Sequence, residues 1–171
     1  KVTNGVLLGG LLVFLFASLA MRAVGNAAGD MIQEIRRQFS EITGLREGKE
    51  GVTPDYNRCI DISVQSALRE MVLPGSLCVI VPIAIGFLLG NVALGGLLMG
   101  TTITGILMAL FLNTGGAAFD NAKKLRKEMK DKTKPETLEA YSAAVTGDTL
   151  GDPMKDTAGP SLHVLIKLVG T

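Results

Sequence analysis

Charge is missing from the middle of this chain. Between Met71 and Phe119 there is no Asp, Glu, Lys, Arg or His, an uncharged run of 49 residues in a chain of 171. A soluble domain of this size has too few buried neighbours to cover such a stretch. A bilayer covers it readily, since one helical span needs roughly 20 apolar residues. Other shortages narrow the field. There are two cysteines, Cys59 and Cys78, and their spacing fits neither a zinc site nor a small disulfide framework. A formal net charge of +1 gives no basic surplus for nucleic acid. No P-loop or kinase glycine loop occurs. No cleavable signal is evident: Val6 to Met21 is apolar, but no basic segment precedes it and no small-residue cleavage site follows. The chain starts at Lys1 and stops at Thr171 inside an apolar stretch, as expected of a piece of something longer.

What is present is segregated. Hydrophobic residues make up 47% and charged residues 19%. The pattern predicts an all-α, polytopic transmembrane helix bundle with four membrane helices. The first spans about 5–24 and continues as an amphipathic extension, with Met31, Ile32, Ile35 and Phe39 on one side and Glu34, Arg36, Arg37 and Gln38 on the rest. Thr43 to Pro54 reads as a surface loop, and Asp55 to Glu70 as a polar, helix-compatible lead to Pro74-Gly75. As a single helix the uncharged run would be ~74 Å long against a core of ~30 Å, so it must be two spans. Gly90-Asn91 is its one good turn signal, giving spans of about 73–89 and 93–113, the latter extending to about 129. A charged loop follows over Lys130 to Pro135, and the fourth span covers about 137–171.

Seven Lys/Arg lie between Arg22 and Arg69, seven between Lys123 and Lys134, and none at the Gly90-Asn91 turn. By the positive-inside bias the basic connections are cytoplasmic and the turn is external. Small residues recur four apart at Gly5/Gly9, Gly86/Gly90, Gly96/Gly100 and Gly147/Gly151, a spacing that lets helices pack closely in lipid.

Two clusters carry chemistry. On a helix, Asp148, Asp152 and Asp156 fall at i, i+4 and i+8, about 6 Å apart in succession, with Lys155 one residue off. Stacked like charges repel, and hard divalent cations such as Mg²⁺ or Ca²⁺ relieve that repulsion. These charges lead directly into apolar Leu162 to Val169, where ionisable groups are costly and tend to be functional. The bland reading is a solvated cap. The second cluster sets Asp120 three and four residues before Lys123 and Lys124. Carboxylates that hold Mg²⁺ and lysines that neutralise phosphate oxygens are both needed where phosphoryl transfer depends on positioning and charge.

Gly-Gly-Ala-Ala-Phe-Asp-Asn-Ala-Lys-Lys at 115–124, Gly-Asp-Thr-Leu-Gly-Asp-Pro-Met-Lys-Asp-Thr-Ala-Gly-Pro-Ser-Leu at 147–162 and Leu165-Ile166-Lys167-Leu168 resemble the C-terminal signatures of membrane-bound, ion-pumping pyrophosphatases. Met21 to Gly25, Arg36 to Phe39, Pro54 to Cys59 and Ala67 to Met71 resemble that family too. Phe119 stands where the family pattern has Trp, and His163 where it has Asn. The resemblance implies a sixteen-helix, homodimeric pump, of which this chain is roughly the last quarter. It implies Asp120 and Asp152 as Mg²⁺ ligands, with Asp148 in the same acidic wall. Lys123 and Lys155 would hold pyrophosphate, Lys124 close by, and Asp156 would orient and deprotonate the attacking water. Lys167 would join an ion gate whose partner lies on helices outside this chain. Implied with these are pyrophosphate as substrate, H⁺ or Na⁺ as cargo, K⁺ or Na⁺ as a candidate activator, membrane lipid around the bundle and a prokaryotic plasma membrane as its place. This chain alone should be inactive, lacking the rest of the acidic site. The alternative is a channel or structural subunit with a cation-binding acidic face, whose aspartates and lysines would point to water or to unrelated partners.

Overall fold

The computed structural model describes residues 1–129 and 134–170. Most of the expected charged connection from Lys130 to Pro135 lies outside them. Among the described residues there is no strand. The chain forms α1 (Val2–Glu41), α2 (Tyr56–Leu89), α3 (Asn91–Glu128), α4 (Pro135–Pro153), a π turn (Met154–Ala158) and α5 (Gly159–Gly170).

Three of these helices, α1, α2 and α3, are long and apolar enough to cross a membrane. At 40 and 38 residues, α1 and α3 measure ~60 and ~57 Å, about twice the hydrocarbon core. Each therefore carries its apolar half into a polar extension. The fourth segment is helical from Pro135 to Gly170, and its apolar part occupies the 12 residues of α5.

A single glycine separates α2 from α3. Gly90 has φ +86, a left-handed conformation that costs a side-chain-bearing residue and suits glycine, and it reverses the chain within one residue. At the other end of α2, Asp55 caps the helix by accepting from the Arg58 backbone N–H at 3.0 Å. Pro74 and Pro82 sit inside α2, a pattern that membrane helices tolerate.

Packing centres on α3, which touches every other element. Beside α1 it runs parallel. A Cβ at Gly5 or Gly9 would collide with the backbone of Ala93, Leu97 and Thr101, and one at Gly96 or Gly100 with that of Val2 and Val6. Two of the expected small-residue pairs thus interlock, backbone against backbone. Gly147 and Gly151 take up the third contact, against Phe119 of α3. Gly86 and Gly90 make no comparable approach. The core joins Leu12, Val13 and Phe16 of α1 to Ala109 and Leu112 of α3, and to Leu162 and Leu165 of α5.

The extension of α1 turns its polar side to α2. Ile32, Ile35 and Phe39 are exposed, while Glu34 and Gln38 are buried. The reason is hydrogen bonding across the α1–α2 seam. Gln38 donates to the Asp55 carbonyl at 3.1 Å and accepts from its N–H at 2.9 Å. It also donates to Glu34 at 2.9 Å, and Arg37 closes a fork on Glu34 at 2.7 and 2.9 Å. Buried polar groups satisfied in this way are tolerated. Beyond the apolar run, the Arg37 guanidinium, helped by the Gln38 amide, lowers the Glu34 carboxyl to about 2.

Candidate active site

The site lies past the end of the uncharged run, where α3 and α4 cross. Gly116 lets them approach: a Cβ there would meet Lys155 Cβ and N at 2.8 Å. Gly151 sits against Phe119, whose Cβ would be 2.7 Å from an added methyl. Side chains from both helices therefore share one small volume.

Lys123 of α3 pairs with Asp148 of α4 and lies 3.6 Å from Asp120. Lys155 reaches back to Asp120 at 2.6 Å and to Asp152 at 3.1 Å. Lys124 also holds Asp120, at 2.8 Å, from an exposed position. One carboxylate oxygen from each of Asp120, Asp148 and Asp152 lies within 4.8 Å of the others. Five ionisable side chains predicted separately from two sequence clusters are thus brought together, with Lys124 on their rim.

The charges set each other's ionisation. The Lys124 and Lys155 ammoniums beside Asp120 hold its carboxyl well below the usual carboxylate range. Asp148 pushes the Lys123 ammonium up, and Asp120 does the same for Lys155. Asp120, Lys123 and Lys155 are therefore all charged at neutral pH. The pairing leaves one gap: Asp148 is the most buried carboxylate, its side chain 5% exposed, and among the described residues its Oδ1 is buried without a hydrogen-bond partner.

Asp156 stands apart. Its side chain is 66% exposed, and Lys155 lies 4.0 Å away. At its level α3 carries only the uncharged run that ends at Phe119, so no lysine of α3 meets it. The regular i, i+4, i+8 arrangement is also interrupted. Pro153 and Pro160 each lack an N–H, and between them the chain takes a π turn, in which the Gly159 N–H donates to the Met154 carbonyl five residues back. Such turns often occur at functional sites.

Lys167 is not part of this cluster. It is exposed on α5 and lines a cavity of about 250 Å³ with His163, Ile106 and Leu110. Among the described residues it has no ion-pair partner. The structure also shows two features that sequence reasoning missed. One is the depth of Asp148, for which spacing gave no signal. The other is the seating of Phe119 against Gly147 and Gly151, signalled by an aromatic placed directly before Asp120.

These features define an integral, multi-pass membrane helix bundle with a carboxylate–lysine site at its basic end. The chain belongs to the inorganic H⁺ pyrophosphatase family, whose model matches residues 1–171. It is 52% identical over 171 residues to a K⁺-insensitive pyrophosphate-energized proton pump of Caldanaerobacter subterraneus subsp. tengcongensis, covering 100% of this chain and 24% of that protein. A putative K⁺-stimulated pyrophosphate-energized sodium pump of Clostridium tetani is 52% identical over 165 residues, covering 96% and 24%. Pyrophosphate-energized membrane proton pump 3 of Arabidopsis thaliana is 50% identical over 183 residues, covering 100% and 22%. The chain thus spans about a quarter of the length of the curated relatives it matches.

Proposed function

We propose that the full-length protein hydrolyses inorganic pyrophosphate at this cluster and couples the reaction to moving H⁺ or Na⁺ across the membrane. The observation that carries the reading is the Asp148 Oδ1, without a hydrogen-bond partner among the described residues, set among three convergent carboxylates with two lysines against them. The relatives' names supply the substrate class, and they divide between proton and sodium and over K⁺.

The donor set fits Mg²⁺, a hard cation that takes carboxylate oxygens. Asp120, Asp148 and Asp152 would hold it, and when bound it would offset charge on phosphate oxygens. The chain's own groups do the rest. Lys123 and Lys155 transfer their ammonium contacts from carboxylate to phosphate oxygens, and Lys124 adds a third positive charge from the rim. Asp156 lies in the π turn between α4 and the apolar α5. It orients a water molecule and accepts its proton as the water oxygen bonds to one phosphorus. The bridging P–O bond breaks and its electron pair leaves with the second phosphate. No covalent intermediate forms. Lys167 faces an acidic partner outside this chain and gates the ion, and the pump works as a homodimer. The channel or structural-subunit alternative expects the aspartates and lysines to face water or unrelated partners; Asp120, Asp148 and Asp152 instead pair with Lys123 and Lys155, and Asp156 alone of the aspartates stands apart.

The test is phosphate release from pyrophosphate by the full-length protein in membranes, with and without Mg²⁺ and with and without K⁺. Lys155→Ala and Asp156→Asn should each lose on the order of a hundredfold. If the protein binds Mg²⁺ but releases no phosphate, the reading falls and the cluster is a cation site of a channel or structural subunit.

A further inference from the structure

A second set of charges has no part in the hydrolytic reading. Arg22 of α1 and Arg69 of α2 line one cavity of about 320 Å³. Both side chains are exposed, and among the described residues neither guanidinium has an ion-pair or hydrogen-bond partner. The sequence fixes their depth. Arg22 comes at the end of the first apolar run, and Arg69 stands two residues before Met71, where the uncharged run begins. Because α1 and α2 run antiparallel, both arginines sit at the same polar–apolar boundary, at the basic end of the bundle. On the membrane side, Leu19 and Leu73 wall the cavity. On the outer side, Glu70 accepts from the Asn26 amide at 3.2 Å, so its carboxylate is engaged without closing on either arginine.

We infer that this cavity seats the phosphate headgroup of an anionic phospholipid from the leaflet at the basic end. Two guanidiniums at headgroup depth present the planar forks that match phosphate oxygens. Basic pockets between membrane helices on this side take anionic headgroups. Leu19 and Leu73 lead the acyl chains away from the charges, along a face of α2 on which Val72 is 69% exposed. Free phosphate would use the arginines and leave the apolar wall without purpose.

Native mass spectrometry of the full-length protein tests this without turnover, and so independently of the pyrophosphatase reading. The protein in detergent is offered phosphatidylglycerol and phosphatidylcholine in equal amounts. The wild type should retain phosphatidylglycerol with roughly tenfold preference. The Arg22→Gln/Arg69→Gln pair should lose that preference, Arg22→Lys/Arg69→Lys should keep part of it, and Arg46→Gln, a loop charge outside the cavity, should keep all of it. A wild type without preference overturns the inference whether or not the variants fold. So does full preference in the Gln pair. Displacement of phosphatidylglycerol by inorganic phosphate alone would make this a free-anion site and reject the lipid.

Discussion

The two halves of α3 pack by different physics. Its membrane half meets α1 through Gly96 and Gly100, set against Val2 and Val6. Shape decides that seam, and among the described residues the one side-chain hydrogen bond across it, Thr101 to the Gly9 carbonyl, is long at 3.4 Å. Its outer half meets α4 through Gly116, Gly151 and Phe119, and then through Lys123–Asp148 and Lys155–Asp120. Small residues bring the backbones close in both places. In the first the closeness serves packing, where a dry interior leaves no room for change. In the second it brings opposite charges together, and under the proposed function each ion pair would offer a cation to phosphate and an anion to metal. A rigid seam thus holds a charged one in register.

The comparison breaks most completely at the rigid seam. Gly100→Leu places a Cβ 2.8 Å from Val6 Cα before the rest of the side chain is added. It should cost about 3 kcal/mol or more, read as a lower thermal midpoint of the full-length protein in detergent, equally at low and high salt. Next in size is Asp120→Asn, which removes the carboxylate shared by three lysines. Pyrophosphate hydrolysis should fall on the order of a hundredfold while the midpoint moves much less.

The charged seam alone should answer to pH. Asp120 has a lowered pKa, so its contribution to stability is present above the ordinary carboxylate value of 3.8 and is lost only as pH falls through the lowered one. Lys123 and Lys155 have raised values. Their contribution is full below the ordinary 10.5 and is lost as pH rises through the raised ones. The midpoint difference between wild type and Lys123→Met/Lys155→Met should therefore stay level from about pH 5 to 10 and shrink beyond either end. The smallest effect belongs to Lys124→Gln. That side chain is 63% exposed and duplicates the Lys155 contact with Asp120, and exposed pairs contribute ~0–1 kcal/mol, so activity should change only a few-fold.

The long elements were legible because composition dictates them. An uncharged run too long for one span, with Gly90 in its middle, permits little besides two helices. The acidic and basic clusters were legible as two groups of charged residues at the ends of helices. Their pairing was not, since periodicity relates residues within one helix and says nothing about which lysine of α3 meets which aspartate of α4. Which side of the α1 extension faces α2 was not legible for a related reason. Its apolar side, Ile32, Ile35 and Phe39, is what a soluble helix would bury, yet Gln38 and Glu34 face α2, where the Gln38 amide satisfies both the N–H and the carbonyl of Asp55. The break in the aspartate series had a visible cause in Pro153 and Pro160, but proline spacing alone does not distinguish a π turn from a kink.

The central claim is that Asp120, Asp148 and Asp152 act as one divalent-cation and phosphate site. The most direct test is the Mg²⁺ dependence of pyrophosphate hydrolysis by the full-length protein carrying Asp152→Asn. The account predicts that the Mg²⁺ concentration for half-maximal rate rises roughly tenfold or more. An unchanged Mg²⁺ requirement, with the rate at saturating Mg²⁺ intact, would contradict it.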